Sequence, residues 1–412
     1  CNNILMGLLK VLDFNDVFWT GQGYIVGAGI YSLLNITIKY GGNYTWLSFI
    51  IGGFICMMTG LSYADLSSQY SASSAEYEYI TESISKKLKY IAGFALIILG
   101  LFALATLMLA FTNYISKFLP NMSQQWILFV LIIVTSIVNS IGVKTTTNTN
   151  MVIAMTESST LVILILLSLY NYKNWKPNQI TGGFDLSKIN HGAFITIFTF
   201  MGFEAITRLS EETKDSKKTI PLAIVAALAL SIVLYILVSI SVNSILGTNN
   251  ASKSITALAD TFNKLLGKNS YYIVNIIGLF SIYNTVMLTH LFTSRQLYGI
   301  SKDILPKDIS DIFRYVNKKT KTPIYSIIFV GICGLLICQI KNLERTTVLS
   351  NIVQFVLFSL INIAAIMLRQ DSKNKFFINY PDKLNKFPPH ALIGLVASLY
   401  MLFNQFKFNY LN

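Results

Sequence analysis

Apolar runs of about 20 residues, the length that crosses a hydrocarbon core, recur along the whole 412-residue chain. Polar loops separate the runs, and none of them is long enough for a soluble domain. The pattern predicts an all-α membrane protein with a single transmembrane domain, residues 1–412, and about eleven transmembrane helices. The predicted spans are 14–37, 43–68, 90–117, 125–141, 150–170, 193–212, 221–246, 271–298, 324–340, 346–368 and 390–408.

Two of these runs are interrupted. The first contains Val26-Gly27-Ala28-Gly29-Ile30, and the sixth contains Phe200-Met201-Gly202-Phe203-Glu204. Backbone that leaves a helix inside a bilayer must line a cavity or be enclosed by protein, because its N–H and C=O groups otherwise lack partners. Helices broken at corresponding positions of two halves are typical of secondary transporters. We therefore predict inverted repeats over 14–170 and 193–368, with an extra helix over 390–408.

The two breaks offer opposite charges to a ligand. The N–H groups of Ala28, Gly29 and Ile30 would begin a half-helix, whose positive dipole end suits a carboxylate. Carbonyls that end the preceding half-helix would suit an ammonium group, and a zwitterionic α-amino acid carries both charges on one carbon. The alternative is close helix packing through small residues. The predicted substrate-binding residues are Val26, Gly27, Ala28, Gly29, Ile30, Phe200, Gly202, Phe203 and Glu204.

Two carboxylates lie within predicted spans, where charged groups are costly and mark functional sites by default. Glu204 lies at the second break. We expect it to pair with a cationic substrate group or to carry a coupling proton, and the alternative is a structural hydrogen bond. Glu157 lies among threonines and serines of the fifth span. We expect a proton relay there, and the alternative is a side chain that extends towards the inner interface.

Composition and charge support the membrane assignment. Hydrophobic residues make up 53% of the chain and charged residues 12%, against about 25% charged in soluble domains. The net charge of +13 is dispersed between the spans, which favours a role in membrane orientation over nucleic-acid binding. With a cytoplasmic N-terminus, the inner segments hold 21 of the 32 Lys and Arg residues, so that orientation is predicted. The four cysteines lack metal-ligand spacing, and neither a metal nor a cofactor is expected.

Acids and bases at the inner ends of the spans are candidates for a gate. Asp13 and Asp16 flank the inner start of the first span, where they could meet Arg208 or Arg295. The alternative is that these aspartates are simply solvated.

Four ordered motifs carry a family resemblance. They are Gly27-Ala28-Gly29-Ile30-Tyr31; Leu61-Ser-Tyr-Ala-Asp-Leu66; Phe200-Met-Gly-Phe-Glu-Ala-Ile206 with Glu211-Glu212 and Lys218-Thr-Ile-Pro-Leu-Ala-Ile224; and Ser294-Arg-Gln-Leu-Tyr298 with Asp303-Ile-Leu-Pro306. In this order they resemble signatures of the amino acid–polyamine–organocation (APC) superfamily over essentially the whole chain. The acid after Gly-Phe resembles the cationic amino acid transporter branch.

The resemblance implies the five-plus-five inverted-repeat fold of the LeuT type, with helices 1 and 6 broken and substrate held by backbone at both breaks. It also implies proton-coupled uptake or exchange of amino acids, with Glu211 and Glu212 in the inner gating region. The chain departs from the family pattern at three points. Glu157 stands where a lysine often lies, Asp215-Ser216 replaces the usual Asn-Pro, and eleven spans are found where twelve are common.

Together these features predict an amino acid permease rather than an enzyme. It would work by alternating access in a lipid bilayer, with cationic or broad-range amino acids as substrates. Alternatives are a non-transporting amino acid sensor, or an exchanger for polyamines or neutral amino acids. The plasma membrane is favoured over an organelle membrane, and the oligomeric state stays open.

Overall fold

The computed structural model describes residues 10–70, 75–141, 146–174, 183–317, 320, 322–371 and 376–410. Regular structure within these residues is helical, apart from an isolated bridge between Leu12 and Thr213. The α-helices are α1 (Phe14–Gly41), α2 (Thr45–Gln69), α3 (Ala75–Ser83), α4 (Lys89–Ile115), α5 (Gln124–Ile141), α6 (Thr146–Tyr170), α7 (Leu186–Phe200), α8 (Ser216–Leu246), α9 (Thr248–Lys253), α10 (Ala257–Leu266), α11 (Lys268–Ile304), α12 (Lys307–Phe313), α13 (Ile324–Ile337), α14 (Leu343–Asp371), α15 (Asp382–Asn385) and α16 (Pro389–Tyr410). Short 3₁₀ helices lie at Gly42–Tyr44, Lys86–Leu88, Tyr172–Asn174, Glu204–Leu209 and Cys338–Ile340.

Each apolar run predicted from the sequence coincides with helical structure. In the part of the chain that the structure describes, eight helical stretches are long and apolar enough to cross a membrane. The first of these, Phe14–Gln69, holds both α1 and α2, and Ile324–Ile340 is a shorter apolar stretch. Large apolar side chains such as Trp126 and Phe129 of α5 are exposed on the outside of the bundle, as lipid-facing side chains are. The prediction of an all-helical, multi-pass membrane protein is confirmed, whereas the five-plus-five repeat stays a prediction.

The two helices that were predicted to break lie at the centre of the bundle. α1 contacts α6, α7, α8 and α11, while α2 packs along α8 and α4 packs along α11. All residues of 25–34 in α1 and of 191–200 in α7 are buried. Irregular backbone at the breaks is therefore enclosed by protein, which is the condition for leaving a helix at membrane depth.

A buried ion cluster joins the ends of α2, α14 and α16. Arg369 Nε donates to Asp65 Oδ2 at 3.0 Å, and Arg369 Nη1 donates to Asn385 Oδ1 at 2.6 Å. His390 Nε2 lies 3.1 Å from the same Asp65 oxygen. The guanidinium also lies over the Phe376 ring, 4.4 Å from its centroid. Because Asp65 and Arg369 are 1% and 0% exposed, these contacts must offset the cost of desolvating both charges.

Asp65→Asn should lower the free energy of unfolding by about 3–5 kcal/mol, because it leaves the Arg369 guanidinium buried without a counter-charge. The measurement is the thermal unfolding midpoint of the purified protein in detergent. Asp215→Asn is the matched control, since Asp215 forms an exposed pair with Lys218 and such pairs contribute little. Equal midpoints for the two variants would contradict a stabilising role for the cluster.

Candidate functional site

The first break is a kink within α1. The helix continues from Phe14 to Gly41, but Gly27 has φ −34° and ψ −117°, outside the helical range. The N–H of Ala28 donates to Thr285 Oγ1 of α11 at 3.2 Å. A Cβ atom at position 27 would collide with that same hydroxyl oxygen. A larger residue at 27 would therefore have to displace the Thr285 hydroxyl that binds the kink.

The second break is wider, and a carboxylate caps it. α7 ends at Phe200, Gly202 has φ +122°, and the chain resumes as the 3₁₀ helix Glu204–Leu209. This φ value lies in a region that only glycine adopts without strain. The N–H of Gly202 donates to Glu204 Oε2 at 2.9 Å. The Glu204 side chain, which is 5% exposed, thus satisfies the backbone at the break that contains it.

One hydroxyl joins the two breaks. Tyr235 Oη of α8 lies 2.8 Å from the carbonyl oxygen of Ile25 and 3.1 Å from that of Thr199. These carbonyls precede the first and the second break, and the single hydroxyl proton is shared between them. Sequence reasoning missed Tyr235, although a tyrosine within an apolar span usually finds a partner for its hydroxyl.

The two broken elements also meet through backbone. A Cβ at Gly29 would lie 2.7 Å from Thr199 Cα and 3.0 Å from the Thr199 carbonyl oxygen. Gly29 therefore allows α1 to approach the last turn of α7. Gly29 thus fits the alternative considered for the first break, which was close helix packing through small residues. The kink itself is at Gly27, and its hydrogen bond to Thr285 is made by Ala28.

Open space lies beside the second break, towards the side of the bundle on which α1 begins. A cavity of about 310 Å³, including its open mouth, is lined by Thr20, Gly21, Tyr24, Asn150, Gly202, Ala205, Ile206, Leu209, Leu288 and Phe292. Gly202 belongs to the predicted substrate-binding residues, whereas Val26, Phe200 and Phe203 are 0% exposed and packed in protein. Asn150 Oδ1 and Thr20 Oγ1 have no hydrogen-bond partner among the described residues. The cavity therefore offers unpaired polar atoms between apolar walls.

Glu157 of α6 is enclosed at 1% exposure. Neither carboxylate oxygen has a hydrogen-bond partner of good geometry within the described residues. The Ser281 hydroxyl of α11 is its neighbour, and the Tyr31 and Tyr235 hydroxyls lie within its electrostatic reach. The carboxylate therefore lies in the interior of the bundle rather than at an interface. Its surroundings are formed by α6, α8, α11 and the kinked α1.

The predicted gating residues follow the second break along the chain. The backbone oxygen of Glu212 accepts hydrogen bonds from the N–H groups of Val11 and Leu12 at 2.9 and 3.0 Å. This pairing attaches the segment to the start of α1. Arg295 of α11 lies within electrostatic reach of Glu212. Glu211 lies within electrostatic reach of Glu78 of α3.

Helix α3 carries two acids towards this region. Partial burial, together with the nearby Glu211 and Glu82 carboxylates, raises the pKa of Glu78 above its ordinary value. Glu76 Oε2 accepts a hydrogen bond from Arg208 Nη2 at 3.0 Å. Arg208 therefore has its counter-charge on α3.

The expected contact of Asp13 and Asp16 with Arg208 or Arg295 is wrong, because among the described residues neither aspartate forms an ion pair with these arginines. The Asp16 N–H donates to Asp13 Oδ1 at 3.1 Å, and the Asp13 N–H donates to Asp16 Oδ2 at 3.0 Å. The two carboxylates form a capping box, because the first N–H groups of a helix lack partners within it.

Comparisons with known proteins cover nearly the whole chain. A family model described as amino acid permease matches residues 12–409. The methylthioribose transporter of Bacillus subtilis is 26% identical over 386 residues, 88% of this chain and 82% of that protein. The branched-chain amino acid permease BcaP of the same bacterium is 24% identical over 96% of this chain and 87% of its own. Cationic amino acid transporter 3, mitochondrial, of Arabidopsis thaliana is 22% identical over 88% of this chain and 63% of its own length.

Gly29→Ala should destabilise the protein by about 1–3 kcal/mol, the usual cost of overpacking, because the added Cβ meets Thr199 backbone rather than a flexible side chain. Gly331→Ala is the control, since a Cβ there meets the Ile132 side chain at 3.1 Å. Thermal unfolding midpoints of both variants provide the comparison. If Gly29→Ala is as stable as Gly331→Ala, the close approach of α1 and α7 is not required.

Proposed function

The chain belongs to the amino acid permease family, and on this premise we propose a secondary transporter that moves amino acids across a membrane by alternating access. Such a protein is a permease and not an enzyme. The observation that supports the proposal most is the convergence of the two breaks on the Tyr235 hydroxyl. Irregular backbone is tolerated at this depth where it serves a site, and here two such segments meet.

We propose that the substrate replaces protein groups of the same hydrogen-bonding character. Thr285 Oγ1 accepts from the Ala28 N–H, and a substrate carboxylate would accept from the same end of the half-helix. Tyr235 donates to the carbonyls of Ile25 and Thr199, and a substrate ammonium would donate to them as well. An α-amino acid supplies both groups, so no buried backbone group would lose its partner on binding.

Glu204 is our candidate for recognising substrate charge. Its carboxylate lies in the second break, next to the cavity that begins at Gly202. A cationic side chain placed in that cavity would be attracted to it. One relative is named a cationic amino acid transporter and another a branched-chain amino acid permease. These names support cationic or broad-range amino acids as substrates. A coupling proton on Glu204 is the second role for the same group.

For coupling, we propose Glu157 as the place where a proton is held. Both of its oxygens are enclosed and lack a protein partner of good geometry, and the side chain lies between helices that include the kinked α1. Movement of α1 would change this enclosure, which links a proton to the transport cycle. Exchange of one amino acid for another, without a proton, is the alternative mode.

The distribution of positive charge supports an orientation of the chain in the membrane. We propose a cytoplasmic N-terminus, because that orientation leaves 21 of the 32 Lys and Arg residues on the inner side. We propose the plasma membrane as the location, with an organelle membrane as the alternative. An amino acid sensor would share the binding site but show no flux, so uptake into proteoliposomes separates it from a transporter.

Glu204→Gln should reduce uptake of lysine and arginine about tenfold more than uptake of alanine, equivalent to about 1.4 kcal/mol of selective binding. The amide oxygen can still accept from the Gly202 N–H, so the break keeps its geometry while losing the charge. The measurement is initial uptake of labelled amino acids into proteoliposomes.

Glu82→Gln is the matched control, since Glu82 is an exposed acid near Lys86 and its loss should change no uptake rate. Equal loss for all three amino acids in Glu204→Gln would assign Glu204 to coupling instead of selection. Unchanged uptake would remove Glu204 from the proposal.

A further inference from the structure

An ion pair between two distant parts of the chain lies beside the cavity. Arg208 of the 3₁₀ segment donates through Nη2 to Glu76 Oε2 of α3 at 3.0 Å. The Arg208 guanidinium also lies over the ring of Phe292, 5.5 Å from its centroid. Phe292 lines the cavity, and so does Leu209, the residue that follows Arg208. The arginine therefore bridges the cavity wall and α3.

Glu76 is held in place independently of Arg208. Its other carboxylate oxygen accepts from the Tyr63 hydroxyl at 2.7 Å, and its side chain is 2% exposed. The Tyr63 ring in turn packs edge-on against Phe203 at the second break, with 5.4 Å between centroids. A continuous set of contacts thus runs from the break, through Tyr63 and Glu76, to Arg208.

The pair is suited to opening because its two sides differ in solvent access. Arg208 is 19% exposed, so it can be solvated when it leaves. Glu76 would stay behind with the Tyr63 hydrogen bond, which limits the cost of an unpaired buried carboxylate. Arg208 also follows the Gly202 break, beyond which the chain is a 3₁₀ helix rather than an α-helix. Short 3₁₀ segments of this kind are common at hinges.

We propose that the Glu76–Arg208 pair is the gate of the cavity on the side where α1 begins, a role that rests on the proposed transport of substrate through this cavity. While the pair is formed, the guanidinium lies over Phe292 and narrows the path between the cavity and the solution on that side. When Arg208 leaves Glu76, the 3₁₀ segment is released from α3 and this path widens. Arg208 is thus a gating residue that needs no contact with the substrate.

Cysteine labelling tests the gate without any substrate. Thr20 lines the cavity, so the rate at which a water-soluble thiol reagent modifies Thr20→Cys reports how often the cavity is open. In this background, Arg208→Gln and Glu76→Gln should each raise the labelling rate about tenfold, the effect of about 1.4 kcal/mol on the opening equilibrium. Arg208→Lys, which keeps the charge, should label close to the rate of the parent.

The double variant decides whether the two residues act as a pair. If they do, Glu76→Gln with Arg208→Gln should label no faster than either single variant, because the interaction is already lost. The buried native Cys56 reports general loosening and should stay unmodified throughout. An unchanged rate in Arg208→Gln, additive effects in the double variant, or a parallel rise at Cys56 would each overturn the gate.

Failure of the gate and failure of the transport proposal give different results. Labelling uses no amino acid, so it measures the gate whether or not the protein transports one. Absence of uptake by the unaltered protein would sink the transport proposal and leave the labelling rates interpretable. Normal uptake combined with unchanged labelling in Arg208→Gln would sink the gate alone.

Discussion

Backbone N–H and C=O groups at the centre of a membrane protein have no water to bind, and each unpaired group costs several kcal/mol. This constraint is sharpest where α1 and α7 stop being helical. Three side chains meet it: Thr285 accepts from Ala28, Glu204 accepts from Gly202, and the Tyr235 hydroxyl serves two carbonyls. The side chains around the breaks are therefore constrained by the hydrogen bonds they must form as much as by packing.

Sharing of one hydroxyl has a mechanical consequence. Because Tyr235 lies within hydrogen-bond distance of Ile25 and Thr199 together, a shift of either carbonyl changes the partner available to the other. Gly29 adds direct backbone contact between the same two elements. The kink and the wider break are thus linked by both contacts, as the proposed alternating access would require.

The sequence predicted the parts of this arrangement that depend on local chemistry. Glycines at 27 and 202 and the carboxylate at 204 mark the breaks because they are unusual within apolar runs, and the structure has a kink and a helix end at those points. The partners could not be predicted in the same way. Tyr235 and Thr285 come from other helices, and their contacts depend on how those helices pack.

Tertiary pairing of charged side chains also explains why the predicted contact of the first aspartates was wrong. Asp13 and Asp16 were expected to meet Arg208 or Arg295, but both of them cap the start of α1. Glu76 of α3 lies against Arg208 instead. The charges were recognisable from the sequence, whereas their pairing depends on tertiary structure.

Thermal stabilisation by amino acids and by their carboxamides tests the central claim most directly. The purified protein would be heated with alanine, leucine, lysine or arginine, with each corresponding carboxamide, and with putrescine. Ligands that bind the folded state raise the unfolding midpoint. A site built from N–H groups and carbonyls for a zwitterion predicts stabilisation by at least one amino acid and its loss in the matching carboxamide. Equal stabilisation by an amino acid and its carboxamide, or stabilisation by putrescine alone, would contradict it.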